Sequence, residues 1–77
     1  MTFNPKGRAR LYGCIAAANH GTIASALWGE DRSRASVLAR REVWQRMKAD
    51  GLSIAAIGRM TNRDHTTVLH GLKAVRA

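Results

Sequence analysis

The sequence predicts an all-α fold, a single small helical domain, and three observations carry that expectation. Apolar residues form 45% of the 77-residue chain, and 13 of those 35 are alanine, which favours helix and packs closely without filling much volume. Val68, Leu72 and Val75 recur at helical spacing, as do Ile54, Ile57 and Met60. From Ala35 to Ala49 neither glycine nor proline interrupts the chain. A chain of this length hides only about 60% of the surface it exposes when unfolded, so the core is thin and a substrate cleft with its own supporting shell is disfavoured.

The elements follow in order. Residues 1–9 hold Asn4, Pro5 and Gly7 among cations and read as a flexible basic arm, with 10–77 as the domain. Leu11 to Asn19 forms a short Ala-rich helix that Gly21 closes, and Thr22 caps a second piece running to Trp28. The polar stretch from Gly29 to Arg34 is a connection, with Ser33 or Ser36 capping a long helix, Ala35 to Ala49. Val37, Val43, Trp44 and Met47 give that helix its apolar side, and Asp50-Gly51 stops it. Ser53 then caps a short amphipathic helix, a turn follows at Thr61 to Arg63, and a last helix runs from Asn62 or Asp64 to near Arg76. No internal repeat is present.

Thirteen Lys and Arg against five Asp and Glu leave a net charge of +8, which points to a polyanionic partner, as the shortness of the chain points away from an enzyme. Four aromatics, Phe3, Tyr12, Trp28 and Trp44, are too few for the stacking platform of many single-strand binders, so double-stranded DNA is the better fit. Cys14 is the one cysteine, which excludes an internal disulfide and leaves no zinc-ligand spacing. Lys6, Arg8 and Arg10 ahead of Leu11 to Ala18 loosely resemble the start of a signal peptide, but Tyr12, Gly13 and Asn19 break that stretch. No run approaches the ~20 apolar residues of a spanning helix. A cytoplasmic, nucleoid-associated protein without metal, cofactor or membrane contact is expected.

Two helices joined by a short turn, after a strongly basic segment, form the helix-turn-helix pattern; the same spacing also allows an αα-hairpin packed for structural reasons alone. At about 100° per residue with Val68 at zero, Leu72 and Val75 fall within about 40° and form the core face. Arg63, Thr66, Thr67, His70 and Lys73 lie more than about 90° away and present donors, hydroxyls and cations outwards, a stripe suited to a DNA groove. Asp64, His65, Thr66 and Thr67 occupy the first turn, which meets base edges in a recognition helix. Asp64 can accept from the cytosine amino group, and a Thr methyl can meet that of thymine. The competing role for Asp64 is a capping box with Thr61, which ties its carboxylate to backbone. His65 can donate or accept at a base edge, or stand as a neutral surface histidine. No Ser, Cys or carboxylate stands at triad or metal spacing beside His70, which reads as a phosphate or solvent contact rather than a catalytic base.

From Arg32 to Lys48 the chain carries six cations against one acid, Glu42. A charge run is usually a solvated face, yet Arg40, Arg41 and Lys48 on the long helix can hold phosphates while the last helix enters the groove. Ser53, at the start of the next helix, is a further backbone-contact candidate. Arg32 or Arg34, ahead of the long helix, can reach an adjacent minor groove.

Arg63-Asp64-His65-Thr66-Thr67-Val68-Leu69-His70 resembles the signature of the C-terminal DNA-binding domain of the bacterial replication initiator DnaA. Leu52-Ser53-Ile54 and Ile57-Gly58-Arg59 resemble that domain's scaffold helix, so the likeness covers about Ala39 to Val75 and leaves residues 1–30 without counterpart. The resemblance implies a helix-turn-helix that reads a DnaA-box-like duplex through Asp64, His65 and Thr66, with Thr67 and Arg63 nearby and Arg32 or Arg34 as the minor-groove arginine. Three departures stand out: a turn one residue shorter, Thr61 where an apolar residue is usual, and Gly71 in place of Ala. Gly71 costs up to about 1 kcal/mol of helix propensity, which implies a less rigid recognition helix and a drifted box preference. No Gly-rich phosphate loop stands in the chain, so the initiator's ATPase has no counterpart.

The leading expectation is therefore a stand-alone, sequence-specific regulator of transcription or replication, of phage or chromosomal origin. The alternative is a protein-interaction adaptor that binds DnaA or RNA polymerase through Leu11, Ile15, Ile23, Leu27 and Trp28, residues that can equally complete the core. A nonspecific nucleoid protein accounts for the charge but not for the Asp-His-Thr-Thr tip. With neither a heptad run nor a reserved apolar stripe, a monomer or weak dimer is expected.

Overall fold

The computed structural model describes residues 5–29 and 33–76, and these are all-helical, with no strand. Helix α1 (Pro5–His20) packs along α3 (Arg34–Ala49); the short α2 (Ala24–Trp28) bridges them; α4 (Ile54–Thr61) and α5 (His65–Arg76) close the other side of α3. None of these helices is long and apolar enough to cross a membrane.

Helix α1 starts at Pro5, well before the expected Leu11, so Pro5 to Ala9, assigned to an arm by composition, form its first turns. Proline has no N–H to leave unsatisfied at the first position of a helix, and Ala9 is buried at the other end of that segment. Gly21, at φ 72°, ends α1, and the Thr22 amide donates back to the Ala17 carbonyl at 2.9 Å. Thr22 does not cap α2: Ile23 occupies that position without a side-chain cap, and the Thr22 hydroxyl pairs with the Ser36 hydroxyl at 3.3 Å.

The next two starts are set by serine. The Ser33 hydroxyl accepts from the Ser36 amide at 3.3 Å to open α3, and that of Ser53 accepts from the Ala56 amide at 3.1 Å to open α4. Gly51, at φ 94°, turns the chain after α3. Helix α4 runs one residue further than expected, to Thr61, and its C-cap is Asn62 in the left-handed region, φ 55° and ψ 47°.

Leu27, Val43, Met47, Ile57 and Val68 are fully buried, and Ala16, Ala17 and Ala39 let α1 approach α3 closely. Trp44 lies nearly buried between α3, α4 and α5. Its indole Nε1 donates to the Thr61 hydroxyl at 3.2 Å, which in turn donates to the Ile57 carbonyl at 2.8 Å. The ring edge lies against Gly71, where a Cβ would come within 2.3 Å of Cζ3. The glycine that counts against α5 by propensity thus makes room for the tryptophan that ties α5 to the core.

On the far side, α1 is held to α3 by polar contacts. The Tyr12 hydroxyl donates to Asp50 Oδ2 at 2.5 Å, while Asn19 and Arg46 donate to Glu42 at 3.1 Å each and His20 Nε2 lies 3.0 Å from it. Burial of Glu42 raises its pKa, but the hydrogen bonds from Asn19, Arg46 and His20 outweigh this and hold its carboxyl below the usual glutamate value.

Candidate nucleic-acid interface

Helices α4 and α5 meet across the turn Asn62–Asp64, and Gly58 sets how closely. A Cβ on Gly58 would stand 2.7 Å from the Arg63 carbonyl oxygen and 3.4 Å from the His65 amide nitrogen, so only glycine lets the turn fold back onto α4. The Arg63 amide donates to the Gly58 carbonyl at 2.8 Å and locks that approach.

Asp64 is itself the residue ahead of α5. Its Oδ1 accepts from the Thr66 amide at 2.8 Å, and the Val68 amide bonds its carbonyl at 3.1 Å. The capping-box alternative with Thr61 does not form, because Thr61 is buried in α4 with its hydroxyl spent on Trp44 and Ile57. Capping leaves the Asp64 side chain 68% exposed, so a cap and a solvent-facing carboxylate coexist. Hydrogen bonds from the Thr66 amide and hydroxyl hold its carboxyl below the usual aspartate value, so it is ionised at neutral pH. His65 Nδ1 stands 3.5 Å from Asp64 Oδ1, with its ring mostly exposed.

Along α5, Thr66, Thr67, His70 and Lys73 are all exposed, while Val68 and Leu72 are buried. The helical wheel is reproduced for these residues, and the side chain of Val75 lies outside the described ones. The exposed stripe starts at the Asp64–His65 tip, beside a groove of about 620 Å³ lined by Ala55, Gly58, Arg59, Asn62 and Arg63.

The candidate cations separate into two groups. Arg40 is 7% exposed, at the floor of the groove that Thr67 and His70 also line: its Nε donates to the Leu27 carbonyl at 2.6 Å and its Nη2 to those of Ala26 and Gly29 at 3.3 and 3.4 Å. The Arg40 guanidinium is thus turned onto the end of α2, whose unpaired carbonyls it satisfies, and not held out to solvent as the basic run suggested. Arg63 is half-buried and grips the same end, its Nη2 donating to the carbonyls of Leu27, at 3.3 Å, and Gly29. It therefore ties the α4–α5 turn to α2 instead of facing outwards as the wheel placed it.

Arg41, by contrast, lines a groove of about 280 Å³ between α3 and α5 with Thr67 and His70. Lys48 and Lys73 are both exposed and border a third groove, of about 400 Å³, with Leu69 and Ile54. Ser53 is exposed but its hydroxyl is engaged in capping α4. Arg34 is exposed at the first position of α3, and Arg32 lies outside the described residues.

Neither Arg59 nor Arg10 is among the DNA contacts expected from the sequence. Both are exposed, and they line one groove of about 280 Å³ with Ala9, Trp28 and Met60. For Arg59 the signal was available: with Ile57 at zero on the α4 wheel it falls about 160° away, on the outward face. For Arg10 none was, because its neighbourhood is set by how α1 crosses α4.

Against protein-family models, curated proteins and solved structures, the chain finds no match.

Proposed function

We propose that this chain is a sequence-specific double-stranded DNA-binding protein, in which α4 and α5 act as a helix-turn-helix and α5 enters the major groove. The observation that supports this reading most is the single exposed face of α5, where Thr66, Thr67, His70 and Lys73 continue the Asp64–His65 tip and stand opposite the buried Val68 and Leu72. Hydroxyls, an imidazole and a carboxylate at the start of such a face are the groups that read base edges, and Arg41, Lys48 and Lys73 on its flanks suit phosphates. In this reading Asp64 contributes specificity and no affinity, because an ionised carboxylate repels the backbone it approaches. The target is a DnaA-box-like duplex, on the resemblance of Arg63 to His70, and the biological role is regulation of transcription or replication at such sites.

The test separates base reading from capping. Asp64→Asn keeps an oxygen to cap α5 but replaces one acceptor with a donor, and His65→Ala removes the ring. Each is expected to lower the preference for a box duplex over a scrambled one by about 5- to 150-fold, the value of one good base contact, with thermal stability retained. Undiminished preference in both variants would refute the assigned readout.

A protein-adaptor reading draws support from Leu11 and Ile23, which are 56% and 66% exposed. It loses Leu27, which is fully buried, and Trp28, which is half-buried. A pull-down of the initiator or RNA polymerase that survives Leu11→Ala with Ile23→Ala would remove the remaining surface.

A further inference from the structure

The arginines nearest α2 divide by exposure. Arg40 and Arg63 are turned inward onto the carbonyls of Ala26, Leu27 and Gly29, while Arg59 and Arg10 point to solvent. Arg59 borders two adjoining grooves. One opens onto Asp64 and His65 at the tip of α5; the other continues to Arg10 on α1. Among the described residues neither arginine pairs with a carboxylate, so both charges are open to an outside anion. Trp28 forms the wall between α1 and α4, and its indole lies against Gly13, where a Cβ would come within 2.7 Å of Cζ2. That close seat fixes where α1, and with it Arg10, sits relative to α4.

We propose that Arg59 and Arg10 form a second phosphate-contacting track, which extends the DNA contact from the α5 tip onto α1, across the part of the chain that has no counterpart in the initiator-like segment. The inference rests on the DNA-binding reading. Arg41 beside Thr67 and His70, and Lys48 with Lys73 beside Leu69, hold the backbone along the two sides of α5, and Arg59 with Arg10 takes the phosphates beyond its N-terminal tip, just past the base pairs being read. A helix-turn-helix unit of α4 and α5 alone would hold only Arg59 there, so α1, which brings Arg10, and α2, whose Trp28 seats α1, become part of the binding surface as well as of the core. Phosphate contacts of this kind set register and affinity and carry no base information.

The test uses the full chain and the double variant Arg10→Gln/Arg59→Gln, both sites being exposed and outside the core. Each phosphate contact adds about 0.9 to the steepness of log K against log salt. The double variant should therefore show a slope shallower by about 1.8, and binding weaker by about 30-fold near physiological salt, equally on box and scrambled duplexes. Arg10→Lys/Arg59→Lys should restore most of the slope. Removing flanking base pairs from one end of the duplex should weaken the parent and leave the Gln variant unchanged. Arg46→Gln, which removes one cation paired with Glu42 on α3, tests whether loss of a positive charge away from the track is enough, and should leave the slope at the parent value. A slope in the Gln double variant equal to the parent's, or matched by Arg46→Gln, would overturn the track while DNA binding by the parent stands. A parent that binds neither duplex would overturn the DNA-binding reading instead.

Discussion

Replacing Gly71 with alanine sets helix propensity against packing, and the two give opposite signs. Propensity alone favours the substitution by up to about 1 kcal/mol. In the fold, the new Cβ would lie 2.3 Å from Trp44 Cζ3 and 2.7 Å from Cε3, well inside the roughly 3.5–4.0 Å at which carbon atoms rest in contact. Trp44 is 4% exposed and its Nε1 is bonded to Thr61, so the ring has no free direction in which to swing. Overpacking of a filled core costs about 1–3 kcal/mol, and a clash on a rigid ring belongs at the upper end. The net expectation is a loss of about 2 kcal/mol, which lowers Tm by about 8–16 °C in a domain of this size. Thermal and urea unfolding followed by far-ultraviolet circular dichroism measures it. In a Trp44→Leu background the clash disappears, so Gly71→Ala should there gain up to about 1 kcal/mol, a coupling of about 3 kcal/mol. A single Gly71→Ala variant as stable as the parent, or more stable, would refute the packing argument.

The remaining predictions test the other contacts that shape the surface. Arg40→Gln should cost about 1.5–3 kcal/mol in urea unfolding, because it removes a charged donor from the end of α2, whereas Arg41→Gln should stay within about 0.5 kcal/mol and weaken duplex binding; the reverse order would contradict the division of roles. Gly58→Ala forces the Arg63 carbonyl to move, so it should lower both thermal stability and box preference in the same titration. Glu42 has its pKa depressed in the folded state, so its contribution is present above the unfolded glutamate value near about 4.3 and is lost as pH falls through the lower folded value. Glu42→Gln should accordingly flatten the acid limb of a stability-against-pH profile, and an unchanged limb would show that the α1–α3 polar contacts carry no such linkage.

What the sequence made legible was the chemistry that acts locally. Ser33, Ser53, Gly21 and Gly51 mark their helix ends because capping and positive φ depend on the few residues beside them. The exposed and buried sides of α5 follow from spacing alone. Thr22 misled, since the hydroxyl that would cap α2 is drawn to Ser36 on another helix. Arg40 misled for the same kind of reason: an arginine in a basic run reads as surface charge until the end of α2 is placed over it. Thr61 and Gly71, the two residue changes that depart from the initiator-like pattern, are both explained by Trp44, which bonds the first and fills the space above the second. Arg59 and Arg10, 49 residues apart in sequence, share a groove only because α1 crosses α4.

Fluorescence anisotropy of the full chain on a labelled duplex carrying a TTATCCACA box, against a scrambled duplex of equal length in about 150 mM salt, bears most directly on the central claim. A box affinity about 10³-fold or more above that of the scrambled duplex is expected of a base-reading α5. Equal affinity for the two would contradict DnaA-box recognition and leave the exposed face of α5 without its assigned role.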